Sequence, residues 1–435
     1  MSNVNPAAAD EAAVLGLLQA SKSAAASGRG AEAEQLLARA GQLAPNHPAV
    51  LNDLGVSMMQ RGDAEKAHAL FQRATTVTSE HPALWSNLAA SLHALQRFDD
   101  ELNALERALA LEPRHLPSLL QKGALYEIRG DERRAAHTYR QALATIPRGA
   151  EPLPTVKEAL EHARTTVKKD EETLAGTMEE RLASVRKRFD SADFGRAEKC
   201  VDLLTGRRSR FFPNPHFMLF PEIPAVEFFD RREFPWLDAI EAAAEEIRNE
   251  LINVLVSDRS GLEPYIAYAD GVPLDQWREL NKSRRWSAYF LWNQSLPQAS
   301  HQARCPITTH LMQAAPLCVV PGSAPTAFFS ILDAKTRIPP HTGATNTRLT
   351  VHLPLIVPPG CGFRVGSETR EWVPGKAWIF DDTIEHEAWN DSEAPRAVLI
   401  FDIWNPYLTP TEREVVSVAT DTYTTYYRAK RENAR

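Results

Sequence analysis

The sequence predicts a chain of two architectures, an all-α repeat solenoid followed by a β-rich domain of the jelly-roll type. The first third is rich in Ala and Leu and repeats with a period of 34 residues. Beyond residue 284 the pattern changes to short β-branched and aromatic runs separated by Pro and Gly. With 435 residues, the chain is long enough for two or three domains that each bury a core.

The N-terminal repeat is visible in residue types that recur at one interval. His47, His81 and His115 are 34 residues apart. Small residues recur at the same spacing, at Ser21, Gly55, Ala89 and Gly123. Two packed helices per unit need small residues where they approach closely and a helix-ending residue where the chain turns. This pattern resembles the tetratricopeptide repeat, and about four units span residues 11–147.

The turns and histidines of the repeat have predicted structural roles. Gly28, Gly62 and Gly130 mark the turns between the helices of a unit, and Gln96 is the exception. The recurring histidines are expected to be turn or packing residues rather than ligands, because they occupy equivalent places. The repeats either stiffen or dimerise the protein, or form a concave surface that grips a peptide or protein. The sequence favours neither alternative.

Changes in composition indicate the domain limits. Residues 151–200 keep a helical pattern but become highly charged, which favours a solvated helix that caps the solenoid. Near Phe211, aromatic residues and prolines replace the alanines. Residues 234–256 predict one amphipathic helix. The predicted parts are a repeat domain over residues 1–150, a charged helical cap and linker over residues 151–210, and a third domain over residues 211–435.

Composition also narrows the partner and compartment classes. The net charge is −7 with acids and bases interspersed, which gives no reason to expect a nucleic-acid partner. The 4 cysteines are far apart and form no CxxC pair, which favours reduced thiols over a disulfide or zinc framework. The N-terminus lacks the basic leader and apolar run of a signal peptide, and no stretch approaches the roughly 20 apolar residues that cross a bilayer. We therefore expect a cytoplasmic protein without a membrane span.

Two histidines of the β-rich part are candidate metal ligands. His341 follows a proline pair just before a predicted strand, and His386 lies between predicted strands. Both positions are strand ends near the mouth of a barrel, where rigid elements can hold a metal. Either histidine alone is more often a structural or surface residue, so the pair depends on its neighbours for support.

Arg396 opens the predicted strand RAVLIFDIW. Strand alternation places Arg396 and Asp402 on one face, directed into an apolar interior. A guanidinium there is costly unless a carboxylate meets it. A bound dicarboxylate would satisfy this need, and so would a salt bridge to a protein acid such as Asp402 or Asp382.

Further polar groups surround this candidate site. Arg348, Thr350 and His352 share one face of the strand TRLTVHL, and Ser330 adds a hydroxyl group from another predicted strand. Together they predict a cationic, hydrogen-bonding pocket beside the candidate metal ligands. A chelating dicarboxylate cofactor would require such a pocket.

Three runs carry a resemblance to a known family: FSILDAKTRIPPHTGATNTRLTVHLPL, then GKAWIFDDTIEHEAWN, then Arg396 with DIWNP. The segment from Phe329 to Pro406 resembles the aspartyl/asparaginyl β-hydroxylases, and the likeness extends more loosely from about Phe211. In that family a tetratricopeptide region also occurs before the oxygenase domain. The resemblance implies a double-stranded β-helix (a cupin-like jelly roll) with flanking helices.

The same resemblance implies a chemistry. The family uses Fe(II) as cofactor and consumes 2-oxoglutarate and O2, releasing succinate and CO2 as it hydroxylates its substrate. The implied substrate is an Asp or Asn side chain of a peptide or protein that the repeats help to recruit. Residue by residue, His341 and His386 match the iron ligands, and Ser330 and Arg396 match the residues that hold the distal carboxylate of 2-oxoglutarate. His352 matches a contact to the metal-side carboxylate.

Two positions depart from the common patterns. The family often has an arginine two residues before the last of these histidines. Here that residue is Thr350, and Arg348 on the same strand face is the candidate substitute. Iron oxygenases usually supply a carboxylate two residues after the first histidine, where this chain has Gly343. The resembling family is itself known for the two-histidine arrangement, so we expect water in the vacant position.

Asp381 and Asp382 lie shortly before His386 and have two alternative roles. Either aspartate orients a histidine or the bound water, or both only form the turn before the loop.

Other functions stay open at this point. A small-molecule or lipid substrate is compatible with the same domain. Outside the enzymes, the chain would be a tetratricopeptide scaffold with an inactive barrel, or a non-catalytic sensor of 2-oxoglutarate. The joint presence of His341, His386, Ser330 and Arg396 argues against an inactive domain but does not exclude a sensor.

Overall fold

The chain forms two compact units that divide between Arg207 and Arg208. The computed structural model describes residues 6–147, 151, 153–189 and 194–432. The finer division of the chain at residues 150 and 210 stays a prediction.

The first unit is helical over its described part. Its helices are α1 (Pro6–Ala26), α2 (Gly30–Leu43), α3 (Pro48–Gln60), α4 (Ala64–Val77), α5 (Pro82–Ala94), α6 (Phe98–Leu111), α7 (Leu116–Ile128), α8 (Glu132–Leu143), α9 (Pro154–Arg186) and α10 (Gly195–Leu204). Within the described residues, α1 to α8 form successive packed pairs at the predicted period. The helical repeat predicted from the sequence is therefore confirmed.

Left-handed residues form the turns inside the helix pairs. Gly28, Gly62 and Gly130 have φ angles of 76°, 80° and 72°. Gln96, the exception in the sequence pattern, takes the equivalent place between α5 and α6 with φ 59°. The turn geometry therefore persists without glycine, at a conformational cost of about 1 kcal/mol.

The recurring histidines have the structural role that their spacing predicted. His47, His81 and His115 are the N-cap residues of α3, α5 and α7. The Nδ1 atom of His47 accepts a hydrogen bond from the backbone N–H of Ala49 at 3.2 Å. Each histidine is followed within two residues by a proline in the first helical turn, where the missing N–H costs nothing.

The charged segment after the repeats begins with α9, which packs on the last helix pair. Leu160, Ala163 and Val167 of α9 share a buried cluster with Leu119 and Tyr139. The apolar face of α9 thus closes the end of the solenoid, as predicted for a capping helix.

The second unit combines helices with antiparallel sheets. Its strands are β1 (Glu263–Pro264), β2 (Trp286–Asn293), β3 (Leu296–Pro297), β4 (Ala327–Leu332), β5 (Thr336–His341), β6 (Arg348–Ile356), β7 (Cys361–Val365), β8 (Glu368–Glu371), β9 (Trp378–Phe380), β10 (His386–Asn390) and β11 (Arg396–Trp404). Its helices are α11 (Leu237–Ala242), α12 (Ala244–Ser257), α13 (Ala299–Arg304), α14 (Pro306–Ala314) and α15 (Pro410–Glu432).

Two sheets enclose the interior of this unit. The larger sheet has the order β1-β2-β4-β11-β6-β9 with β3 paired to β2, and the smaller sheet has the order β5-β10-β7-β8. One face of the larger sheet packs on α11, α12 and α14, where Leu399 shares a cluster with Ile247. From the opposite face, Val398 packs with Ile338 and Phe363 of the smaller sheet. The predicted pocket residues lie on this opposite face, in the space between the two sheets.

Runs rich in β-branched and aromatic residues predicted five strands, β2, β4, β6, β9 and β11, from WSAYFLW, PTAFFSILD, TRLTVHLPLIV, KAWIF and RAVLIFDIW. The other strands, among them β5 and β10, were not predicted. The run TRIPPH of β5 contains Pro339 and Pro340, which disfavour a strand because proline lacks an N–H. In the structure β5 is an edge strand of the smaller sheet, where a missing donor is tolerated.

The prediction of one helix over residues 234–256 was wrong. Ala243 leaves helical geometry with φ −91° and ψ 12°, and it separates α11 from α12. The predicted apolar stripe nevertheless stays buried, because Leu237 and Ile247 on either side of the break join the same cluster. Over the described residues, no helix combines the length with the apolar character that crossing a bilayer requires.

Close packing in the repeat unit makes a testable prediction. A Cβ on Gly55 would lie 2.5 Å from the Phe71 ring. Gly55→Ala should therefore lower the free energy of unfolding by about 1–3 kcal/mol through overpacking. Urea denaturation followed by far-ultraviolet circular dichroism measures the change. The matched control is Gly176→Ala in α9, where nothing lies within 4 Å of the new methyl group. The free energy of unfolding of this control should rise by up to about 1 kcal/mol, because alanine has a higher helix propensity than glycine. Equal decreases in both variants would contradict the close contact between Gly55 and Phe71.

Candidate functional site

His341 and His386 face each other across two neighbouring strands. His341 is the last residue of β5 and His386 the first of β10, and the antiparallel register pairs them directly. Their ring centroids are 4.1 Å apart. The sequence patterns predicted that both histidines lie just outside strands, and this prediction was wrong. Their position inside paired strands fixes the two rings more rigidly than loops would.

Backbone carbonyls orient both imidazole rings. The Nδ1 atom of His341 lies 2.8 Å from the carbonyl oxygen of Pro339, and Nδ1 of His386 lies 3.0 Å from that of Ile384. Because a carbonyl only accepts, each Nδ1 carries the proton and each Nε2 keeps its lone pair. Burial lowers the pKa of both imidazoles, so they are neutral at neutral pH. Two adjacent neutral Nε2 atoms are suitable ligands for a divalent metal.

The protein supplies few further ligands near this pair. Over the described ranges, no group of three or more His, Cys, Asp and Glu side chains is arranged to hold a metal ion. A metal bound to the two imidazoles would take its other ligands from solvent or from a bound organic molecule. That agrees with the two-histidine site expected from Gly343.

The carboxyl group of Asp382 occupies the space of the side chain that Gly343 lacks. A Cβ built on Gly343 would lie 2.2 Å from Cγ and both oxygens of Asp382. Oδ1 of Asp382 is buried without a hydrogen-bond partner. Burial raises the pKa of this carboxyl group to about 7, although the nearby Arg348 opposes the shift. The Asp382 carboxyl group therefore fills the space that a side chain at position 343 would take.

The two aspartates before His386 have different roles. Asp381 accepts hydrogen bonds from the N–H of Thr383 at 2.9 Å and from its hydroxyl group at 2.6 Å. Asp381 thus forms the turn, and only Asp382 faces Gly343. The turn role is therefore that of Asp381, and an orienting role for Asp382 stays a prediction.

Arg396 is a buried cation without a counter-ion among the residues that the structure describes. Its side chain is 1 % exposed, and Nε and Nη1 have no hydrogen-bond partner. Its guanidinium lies 5.1 Å from the centre of the Trp372 ring. Burial lowers its pKa to about 10. Because leaving a buried charge unpaired is costly, this residue is the strongest sign of an anionic ligand.

The alternative partner for Arg396 is engaged elsewhere. Asp402 forms an ion pair with Arg348 at 3.2 Å. The predicted salt bridge between Arg396 and a protein acid is therefore absent from the described contacts. The assignment of Arg348 to 2-oxoglutarate stays a prediction; Asp402 already offsets its charge, and Nε of Arg348 lacks a partner.

Ser330 lies beside Arg396 on the interior face. In the register of β4 with β11, Ser330 pairs with Val398 and Leu332 pairs with Arg396. The Ser330 hydroxyl oxygen is fully buried and accepts a hydrogen bond from Nε1 of Trp286 at 3.1 Å. Its own proton is thus available to a ligand. Sequence reasoning missed Trp286, because its contact with Ser330 depends on the pairing of β2 with β4.

His352 lies between the histidine pair and Arg396. Its ring stacks on Trp372 with centroids 5.6 Å apart, and its Nδ1 is buried without a partner. Burial is the main cause that lowers its pKa, and the nearby Arg396 and His386 add to it. The structure thus places the predicted metal ligands and the predicted dicarboxylate-binding residues around one interior.

Residues 241–406 match the family described as Aspartyl/Asparaginyl beta-hydroxylase. This range contains every candidate site residue from Ser330 to Arg396. In the first unit, residues 24–92 match the tetratricopeptide repeat family. The resemblances derived from the sequence motifs are thereby confirmed.

Curated relatives match the same region. The human aspartyl/asparaginyl beta-hydroxylase is 37% identical over 146 residues, which are 33% of this chain and 19% of that protein. The ornithine lipid ester-linked acyl 2-hydroxylase of Rhizobium tropici is 34% identical over 185 residues, 42% of this chain and 62% of that protein. The human aspartate beta-hydroxylase domain-containing protein 2 is 28% identical over 244 residues, 54% of this chain and 63% of that protein. The chain thus spans less than two thirds of each relative.

The contrast between the two interior arginines predicts stability changes of opposite sign. Arg396→Met should raise the free energy of unfolding of the metal-free and ligand-free protein by about 1–4 kcal/mol, because it removes an unpaired buried charge. Arg348→Met should lower it by about 3–5 kcal/mol, because it leaves the buried Asp402 carboxylate unpaired. Denaturant unfolding in the presence of a chelator measures both. Changes of the same sign would contradict the assigned pairing.

Proposed function

We propose that this chain is an iron(II)- and 2-oxoglutarate-dependent dioxygenase that hydroxylates a C–H bond of its substrate. The observation that carries the proposal is the unpaired Arg396 guanidinium, buried in the same interior as the His341–His386 pair. A dicarboxylate that chelates a metal at one end and meets a cation at the other satisfies both features.

The residues present fit the iron and the co-substrate. His341 and His386 would hold Fe(II) through Nε2, because their Nδ1 atoms are committed to carbonyls. Arg396 and Ser330 would bind the distal carboxylate of 2-oxoglutarate, and His352 would contact the metal-side carboxylate. When bound, iron and 2-oxoglutarate activate O2 and supply the oxidising power, with succinate and CO2 as products.

The chain's own contribution is to position these groups and to exclude water. The aromatic rings of Phe363, Phe380 and Trp372 surround His352 and close the interior. Asp382 beside Gly343 would hold and orient solvent at the metal, since its Oδ1 has no hydrogen-bond partner in the described part of the chain. This arrangement would limit solvent in the interior to positions that the protein itself orients.

We further propose that the second unit is a double-stranded β-helix of the cupin-like jelly-roll type. Two antiparallel sheets that face each other across a shared interior support this assignment. The flanking helices α11, α12 and α14 cover the outer face of the larger sheet.

The proposed substrate is an Asp or Asn side chain of a peptide or protein, recruited partly by the repeats. The family match supports the side-chain class, and tetratricopeptide repeats generally mediate protein interactions.

An acyl chain of a lipid is the second candidate substrate. Thr350 replaces an arginine that is frequent in the family, and the neighbouring Arg348 is paired with Asp402. This strand face therefore offers less positive charge to a substrate carboxylate. The relative from Rhizobium tropici, named as an acyl 2-hydroxylase, also favours this alternative.

Cofactor dependence is tested on the full chain. Anaerobic addition of 2-oxoglutarate to the Fe(II)-loaded protein should produce a visible charge-transfer band, and admission of air should release succinate. His341→Ala and His386→Ala should each lose both signals, because each removes a metal ligand. His310→Ala, which removes an exposed histidine of α14, should keep both. A wild-type protein without band and succinate would contradict the proposal.

The substrate class is tested by oxygen incorporation. Asp- and Asn-containing peptides incubated with the loaded enzyme should gain the mass of one oxygen atom, and the His386→Ala variant should give no gain. If acyl lipids gain the mass of one oxygen atom and peptides do not, the lipid acyl chain replaces the Asp or Asn side chain as the proposed substrate. Tight 2-oxoglutarate binding without incorporation into either pool would favour the sensor alternative.

A further inference from the structure

The interior between the two sheets contains several hydrogen-bond donors without acceptors. Besides the Arg396 guanidinium, the indole N–H groups of Trp372 and Trp378 are buried and unpartnered. These side chains are 7 % and 8 % exposed, so bulk water does not solvate them freely. An indole nitrogen can only donate, and buried tryptophans usually find an acceptor. Neither indole has an acceptor among the described residues, so a bound molecule is the candidate partner.

Trp372 contacts the residues proposed for both ends of the co-substrate. Its ring face lies under the Arg396 guanidinium, 5.1 Å from ring centre to Cζ. The same ring stacks on His352 with an interplanar angle of 13°. Trp378 packs on Trp372 at 4.6 Å and has no described contact with Arg396. Of the two unpartnered indoles, Trp372 is thus the one beside the anion-binding guanidinium.

Polar acceptors on the strands around this interior already have donors of their own. The Ser330 oxygen accepts from Trp286, and Asn390 Oδ1 accepts from the Cys361 thiol and from Ser392. Asp402 pairs with Arg348. A carboxylate bound by Arg396 has enough lone pairs to accept from a second donor as well.

We propose that Trp372 is a further 2-oxoglutarate-positioning residue, whose indole N–H donates to the same distal carboxylate that Arg396 binds. The inference rests on the proposed function and extends its binding site. In this arrangement the indole has two tasks: its face supports the guanidinium, and its edge completes the carboxylate site with a neutral donor. Selectivity for 2-oxo acids that carry a distal carboxylate follows, because only these offer an acceptor to Trp372.

The experiment separates the N–H group from the ring. Trp372→Phe keeps an aromatic face under Arg396 and removes the donor. Calorimetry on the manganese(II)-loaded full chain compares the Kd of 2-oxoglutarate with that of 2-oxobutyrate, which lacks the distal carboxylate. The substitution should raise the Kd of 2-oxoglutarate about 10- to 100-fold, the loss expected for a hydrogen bond to a charged group. The Kd of 2-oxobutyrate should stay within about twofold, a difference too small to represent a lost hydrogen bond.

Trp389→Phe is the matched control. Trp389 also lies near an arginine, with Arg337 at 5.8 Å, but it alternates in β10 with the interior residue Ala388. Its substitution should change neither Kd. As a second readout, the indole N–H resonance of Trp372 in ¹⁵N-labelled wild-type protein should shift on addition of 2-oxoglutarate and not on addition of 2-oxobutyrate.

Several results would overturn the inference. An unchanged Kd for 2-oxoglutarate in Trp372→Phe would do so, and so would equal weakening of both ligands, which indicates a general structural effect. A raised Kd of 2-oxoglutarate in Trp378→Phe, with no change in Trp372→Phe, would assign the role to Trp378 and contradict the inference. If the wild-type protein does not bind 2-oxoglutarate at all, the proposed function fails together with the inference. If the wild-type protein binds it and Trp372→Phe binds it equally well, only the inference fails.

Discussion

The arrangement of the second unit's interior depends on Arg396. Its guanidinium is buried and has no counter-ion among the described residues. β11 lies between β4 and β6 near the middle of the larger sheet, so its first residue cannot move toward solvent without disturbing two strand pairings. The aromatic face of Trp372 supplies weak compensation. Such a cation reduces the stability of the empty protein, which is a common cost of a preformed binding site.

The histidine pair depends on a different constraint, the register between β5 and β10. The direct pairing of His341 with His386 sets the separation of the rings, and carbonyl oxygens within each histidine's own chain segment set the tautomers. The prolines of β5 are compatible with this role because β5 is an edge strand. Backbone geometry thus orients the two imidazoles that are proposed as metal ligands.

Local sequence patterns predicted much of this architecture. The contacts that they could not predict depend on how distant strands and loops pair. Runs of β-branched and aromatic residues predicted the central strands, and the motifs around His341, His386 and Arg396 carried the resemblance to the hydroxylase family. The contact of Asp382 with Gly343 joins two loops that are distant in sequence, and no local pattern carries it. Likewise, Asp402 and Asp382 were equal candidates for Arg396 until the pairing of β11 with β6 placed Asp402 beside Arg348.

The two ends of the interior are chemically complementary to one kind of molecule. Neutral imidazoles and the Asp382 carboxyl group lie at one end, and the unpaired guanidinium lies at the other. A metal ion alone would leave Arg396 unpaired, and a simple carboxylate alone would leave the imidazole lone pairs unused. A chelating dicarboxylate with its metal satisfies both ends at once. The buried polar groups without partners among the described residues are therefore also those that would make binding of the metal and of 2-oxoglutarate mutually reinforcing.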